Sequence, residues 1–281
     1  MRWRATQVQG RLAAFGEAGL DRADDSSTVV FLHGWALSDR TYRRSLEQLA
    51  RLGHAVLAPA LPGFRTTADL PAEQLSLAGY ADWLVDLLDA VGVRGPVTLV
   101  GHSFGGAVAI KCAHDHPDRV AQLVLVNSIG GATWSADGRL RPMSERSIGD
   151  WGVHLGAELA STRGLTRVLP VIATDALAHA LIRPLTLWRV GRLARHADLA
   201  VELENLKQRG LPVAILWGRE DEVLPWACAE SLIEALGNPH VVTVDGDHGW
   251  LIGDPARFVE VLTNVLDVAR GLPDPGDGRV A

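Results

Sequence analysis

The run Val97-Thr98-Leu99-Val100-Gly101-His102-Ser103-Phe104-Gly105-Gly106 sets one serine between two glycines, after a β-branched apolar stretch and before a helix-like one. A serine hydroxyl is a poor nucleophile, so a fold that uses one must lift it off the backbone, supply a base and place amide donors nearby. A tight turn from strand to helix meets all three needs. The strand carries Ser103 to the carboxyl edge of a sheet, the turn projects its oxygen, and the helix N-terminus aims N–H groups at a developing anion. Glycines are expected at 101 and 105 because a Cβ at either would strike the adjoining strand or helix. The pattern G-x-S-x-G is weak by itself, and small residues cluster at many turns. The flanking strand and helix give it its weight.

Outward from this elbow, strand-like runs recur with helical segments between them, the alternation that builds a mostly parallel sheet covered on both faces. A weaker pair at about residues 2–10 and 11–17 precedes Thr28-Val29-Val30-Phe31-Leu32. Further strands are expected at 55–58, 97–100, 123–126, 213–216 and 241–244. Among the helices, Leu77 to Val91 is the clearest, with Tyr80, Leu84, Leu87, Leu88 and Val91 at helical spacing. The tail after Arg270 is rich in Gly, Pro and Asp and is expected to fray.

From about Ile129 to Leu206 the alternation stops, leaving helical patterning broken by Gly and Pro, with Trp134, Trp151 and Trp188 spread through it and no convincing strand. The division is therefore a core of residues 1–128 and 207–281 and a helical lid or cap insertion over 129–206. The insertion leaves the same sheet edge as Ser103 and is placed to roof it, with one or two of its tryptophans expected to face the pocket.

Composition excludes several classes. The chain has 281 residues, 47% of them hydrophobic, and a net charge of −6, which suits a large α/β domain and disfavours a nucleic-acid partner. No apolar run is long enough to span a bilayer, and the charged start Met1-Arg2-Trp3-Arg4 lacks the apolar region of a secretory signal, so the expected address is cytoplasmic. Cys112 and Cys228 fall in separate expected helices without CxxC or CxxH neighbours and read as buried core thiols; no metal site is expected. Composition assigns no oligomeric state.

Ser103 needs a base, and ten histidines compete. Only His248 follows the final strong strand, in the loop Asp245-Gly246-Asp247-His248-Gly249-Trp250 at the carboxyl edge, where flanking glycines let an imidazole turn toward a neighbour. An imidazole that takes a proton becomes a cation, so a carboxylate must orient it. The strand ending at Val126 is followed by Asn127 and Ser128, which are not acids. The strand ending at Leu216 runs into Trp217-Gly218-Arg219-Glu220-Asp221-Glu222-Val223-Leu224-Pro225, and Asp221 is favoured at the loop apex, with Glu220 and Glu222 as rivals. The oxyanion donors are expected to be the backbone N–H of Phe104 and that of Trp35 in Phe31-Leu32-His33-Gly34-Trp35. His33 reads as a brace for that loop.

These segments together, His33-Gly34-Trp35, Gly101-His102-Ser103-Phe104-Gly105-Gly106, Trp217-Gly218-Arg219-Glu220-Asp221 and Gly246-Asp247-His248, resemble the serine-hydrolase branch of the α/β-hydrolase fold superfamily over nearly the whole chain. The resemblance implies a helical lid, an oxyanion hole from Trp35 and Phe104, and no cofactor. Serine in place of aspartate at the elbow argues against the haloalkane dehalogenase and epoxide hydrolase branches. The run Ala58-Pro59-Ala60-Leu61-Pro62-Gly63-Phe64-Arg65 departs from the family pattern in lacking an acid before Pro-Gly, and Arg65 stands where small residues are frequent. Arg65 reads as a solvated loop cation or as a clasp for an acidic substrate.

The expected activity is hydrolysis of a carboxylic ester of a small, largely apolar substrate through an acyl-enzyme. Two rivals share the residues: cleavage of a C–C, lactone, thioester or amide bond, and a small-ligand-binding or signalling protein with little turnover.

Overall fold

The computed structural model describes residues 1–21, 28–131, 133–136, 139–147, 149–150, 153–154, 179–237 and 239–269. Its strands are β1 (Arg2–Val8), β2 (Arg11–Ala18), β3 (Thr28–Leu32), β4 (Ala55–Pro59), β5 (Val97–His102), β6 (Val120–Val126), β7 (Thr133–Ala136), β8 (Arg139–Pro142), β9 (Val213–Gly218) and β10 (His240–Val244). Eight of them form one sheet in the order β1-β2-β4-β3-β5-β6-β9-β10. The β1–β2 and β2–β4 pairs are antiparallel, and every pairing from β4 through β10 is parallel. This is the mostly parallel α/β sheet expected from the alternation of segments.

Consecutive residues of the inner strands serve opposite faces, as the period of two requires. Val29 and Phe31 of β3, Val100 of β5, Val124 and Val126 of β6 and Leu216 of β9 pack on one side. Val30 and Leu32, Leu99, Leu123 and Leu125, and Ile215 and Trp217 pack on the other. Burial on both faces makes these strands continuous apolar runs rather than alternating ones.

Helices cover the two faces. On the first lie α1 (Arg43–Arg51) and a C-terminal helix (Pro255–Ala269). On the second lie α2 (Leu77–Ala90), α3 (Phe104–Asp115), α4 (Pro184–Arg195), α5 (Ala200–Gln208) and α6 (Trp226–Leu236). A short α7 (Trp250–Gly253) precedes the C-terminal helix, α8. Helix α2 starts where the apolar spacing places it. The Ser76 hydroxyl accepts the Gly79 N–H at 3.0 Å, and Tyr80, Leu84, Leu87 and Leu88 lie along its buried side. Cys112 in α3 and Cys228 in α6 are buried and unbridged.

One expectation is corrected. The interval from Ile129 to Leu206, read as free of strands, contains the antiparallel hairpin β7–β8, with Trp134 opposite Arg141. Four-residue strands are too short for a two-residue period to stand out from the surrounding pattern. Helix α5 runs across residues 206 and 207 and packs with α3 and α6. The expected fraying of the tail after Arg270 lies outside the described residues.

Candidate active site

The elbow is built by close approach of backbone. Ser103 sits between β5 and α3 at φ 53°, ψ −117°, a conformation L residues rarely adopt and one that stores strain. Its own N–H donates to the Val126 carbonyl at 3.1 Å, anchoring the turn to β6. A Cβ on Gly101 would lie 2.5 Å from the Gly105 carbonyl oxygen, and one on Gly105 would strike the Leu32 carbonyl of β3. The two glycines therefore let strand, turn and helix pass one another, as the sequence indicates. Phe104 opens α3, so its N–H has no acceptor within the helix and faces the anion-attracting helix end.

His248 and Asp221 meet across 27 residues. The His248 Nδ1–H donates to Asp221 Oδ2 at 2.8 Å, with both residues buried. Glu220 and Glu222, on either side, are exposed. The Asp221 carboxylate is held by two further donors, Leu224 N–H on Oδ1 at 2.6 Å and Asn127 Nδ2 on Oδ2 at 2.5 Å. With His248, three N–H donors meet the two oxygens of the Asp221 carboxylate. With Nδ1 directed at Asp221, Nε2 is the other ring nitrogen of His248 able to take part in proton transfer.

His102, beside the serine, is 1% exposed, and its Nε2–H donates to the main-chain carbonyl of His248 at 3.0 Å. Burial, and then the nearby His248, push its pKa well below the usual histidine value, so the ring is neutral. His33 is also buried, and it braces its loop as expected: its Nε2 accepts the Leu61 N–H at 2.9 Å.

Ser103 and His248 line one cavity with Gly34, Trp35, Leu37, His102 and Phe104 at the sheet edge, and with Ile129, Ala194, Val223 and Leu224 from above and beside it. No Asp, Glu, Lys or Arg is among these residues. The Trp35 indole Nε1–H donates to the Leu187 carbonyl of α4 at 2.9 Å, tying the loop after β3 to the roof. Arg146, 2% exposed, ties the segment after β8 to the loop carrying Asp221 by donating to the Val223 carbonyl.

Several expectations fall differently. Neither Trp134 nor Trp188 lines the cavity: Trp188 is 51% exposed with Arg192 over its ring, and Trp134 lies under Arg146. Trp151 lies outside the described residues. Arg65 is neither a solvated cation nor part of the cavity wall. Its Nε lies 3.0 Å from Asp39 Oδ1, and Asp39 is fully buried. Sequence reasoning passed over Asn127 because it is not an acid. The available signal was a short amide side chain at the carboxyl end of an inner strand, a position that turns polar groups into the site.

Comparison with known proteins agrees with this geometry. The sequence profile of the Alpha/beta hydrolase family matches residues 29–261. An uncharacterized protein of Mycobacterium tuberculosis is 29% identical over 92% of this chain and 80% of its own length. The pimeloyl-[acyl-carrier protein] methyl ester esterase of Nitrosomonas europaea is 28% identical over 85% of this chain and 96% of its own. A crystal structure of a bacterial membrane phospholipase A superposes with a TM-score of 0.76 at 23% identity, covering 96% of this chain and 86% of that one. The chain belongs to the α/β hydrolase family. No helix among the described residues is long and apolar enough to cross a membrane.

Proposed function

We propose that this α/β hydrolase is a serine esterase acting on a carboxylic ester of a small, largely apolar substrate, with Ser103 as nucleophile, His248 as general base and Asp221 orienting it. The observation that carries the reading is the 2.8 Å bond from His248 Nδ1 to buried Asp221, with His248 and the strained Ser103 on one cavity. The lining, which holds no charged carboxylate, ammonium or guanidinium, favours an uncharged group at the reacting carbonyl.

In the proposed cycle, Ser103 Oγ adds to the ester carbonyl carbon as its proton passes to His248 Nε2. The Trp35 and Phe104 amides hold the resulting oxyanion, and each such donor is worth about 10²–10³ in rate. The C–O bond breaks, the alcohol leaves with the proton from His248, and an acyl-Ser103 ester remains. Water then adds by the same steps and frees the carboxylic acid. Residues 129–206 form a cap on a core of 1–128 and 207–281, and the cap excludes bulk water during these steps. The reaction requires no cofactor, and a cytoplasmic location fits the mild negative charge.

The test is turnover of p-nitrophenyl esters from acetyl to long-chain acyl, beside Ser103→Ala. The expected result is hydrolysis that the substitution lowers by about 10³-fold or more. Equal rates in the two proteins would end the esterase reading. Turnover of lactones or amides but not esters would move the assignment to another bond on the same residues.

A further inference from the structure

His102 is the residue before the proposed nucleophile, and both of its ring nitrogens face partners outside the proposed proton transfer. Its contacts define one arrangement of protons. The Nε2 atom faces the His248 carbonyl oxygen at 3.0 Å, and a carbonyl only accepts, so Nε2 carries the hydrogen. On the neutral ring Nδ1 is then bare, and it faces the Tyr42 hydroxyl at 2.7 Å, which must donate to it. The Tyr42 oxygen in turn accepts the Gly34 N–H at 3.2 Å. Tyr42 and His102 are each 1% exposed.

The chain Gly34 N–H to Tyr42, Tyr42 to His102, His102 to His248 carbonyl joins three loops at the sheet's carboxyl edge. Gly34 precedes Trp35 on the loop after β3, His102 abuts Ser103 after β5, and His248 follows β10. The space for the relay is tight: a Cβ on Gly34 would lie 3.1 Å from His102 Nδ1 and 3.3 Å from Ser103 Cβ. The rings of His102 and His248 lie 4.8 Å apart and are tilted by 42°.

We infer that His102, whose Nε2–H is directed at the His248 carbonyl and whose Nδ1 is capped by the Tyr42 hydroxyl, is a positioning residue that sets the main chain of His248 and couples it to the loop bearing Trp35. The inference rests on the proposed esterase mechanism for its kinetic consequence, but its geometry stands without it. During turnover His248 becomes an imidazolium, and a neutral neighbour 4.8 Å away adds no like charge. A chain of polarised hydrogen bonds also resists displacement of the base as its charge changes. Placement errors of an ångström cost heavily in rate, so the cost of losing this tie falls on kcat.

The experiment combines kinetics with ¹⁵N-histidine spectroscopy on the full chain. With p-nitrophenyl butyrate, His102→Leu is expected to lower kcat by about 30-fold with little change in KM, because the buried tie is lost while ground-state binding is not. His102→Gln, whose amide N–H reaches the same carbonyl, is expected to recover kcat to within about 5-fold of the parent. Tyr42→Phe is expected to cost about 5-fold and to move the His102 Nδ1 signal to that of a nitrogen without a hydrogen bond, with the proton still on Nε2. A purely structural His102 predicts a different pattern, in which apolar Leu serves as well as Gln or better. The inference is overturned if His102→Leu keeps kcat within about 3-fold of the parent, or if the parent spectrum shows His102 as the Nδ1–H tautomer or the cation. If the parent turns over no ester, the esterase reading fails by itself, and the His102 tautomer and the response of its Nδ1 signal to Tyr42→Phe still decide the relay.

Discussion

Asn127 Nδ2 donates to the same Asp221 oxygen, Oδ2, that receives the His248 imidazole. The amide cannot be turned around. Its Oδ1 accepts the Trp250 Nε1–H at 2.8 Å and the Gly218 N–H at 3.3 Å, so its NH₂ must face the carboxylate. Asn127 adopts φ 41°, a left-handed conformation that asparagine tolerates better than most residues. One side chain at the end of β6 thus sets the acid, the start of its loop and the helix that follows His248.

Truncation at this position removes one donor from Asp221 and leaves two buried N–H groups unpaired. Asn127→Ala is expected to lower stability by about 1–3 kcal/mol and kcat on p-nitrophenyl esters by about 10-fold. The isosteric Asn127→Asp should be worse for activity than alanine, since two adjacent carboxylates share a proton and weaken the hold on His248. Steady-state kinetics and chemical denaturation of the two variants check this; an aspartate variant faster than alanine would contradict it.

Stability is expected to fall below about pH 6.5, the ordinary histidine pKa. His102 is held well below that value, first by burial and then by the nearby His248 and His33. Sign and window follow: below pH 6.5 the unfolded chain protonates this histidine while the native one does not, so the unfolded state binds more protons. Stability then declines with acidification at up to about 1.4 kcal/mol per pH unit for this group. Urea melts from pH 7.5 to 5 should show a shallower decline in His102→Gln than in the parent.

Gly105→Ala should be among the most damaging single-methyl additions in the chain. The new Cβ meets main-chain atoms of Leu32 and lies 2.8 Å from the His33 carbonyl oxygen, and backbone in an inner strand cannot step aside. The expected cost is about 3 kcal/mol, a drop of about 10 °C in Tm for a domain of this size. A thermal melt unchanged from the parent would contradict the close approach of α3 and β3.

Both thiols are expected to be inert in the native state. Burial pushes Cys112 and Cys228 up to about 12, and the thiolate is the reactive form. Iodoacetamide at pH 8 should modify neither cysteine within hours, and both promptly in guanidinium; mass spectrometry reads the difference.

Much of the fold was legible because its signals are local. A strand buried on both faces must be apolar throughout, so Val97–Val100, Leu123–Val126 and Val213–Leu216 stand out by composition. The elbow is legible for a related reason, since Gly101 and Gly105 answer contacts within a few residues or with the adjoining strand. His248 was singled out by its place after the last strand and Asp221 by its loop, and the structure brings the two into a hydrogen bond. The hairpin β7–β8 was not legible, as four-residue strands carry too few repeats of a pattern. Nor was the pairing of Arg65, whose buried partner Asp39 lies in a different loop.

The sequence by itself determined the layers, the proposed chain order of Ser103, Asp221 and His248, and the need for glycine beside the serine. Tertiary structure alone decided that Asn127 holds the acid, that Tyr42 caps Nδ1 of His102, and that Arg65 pairs with Asp39. The physical reason is reach. Periodicity and turn chemistry are set by neighbours along the chain. A hydrogen bond is set by distance in space, and Asn127 and Asp221, 94 residues apart, come within 2.5 Å only when β6 and β9 lie side by side.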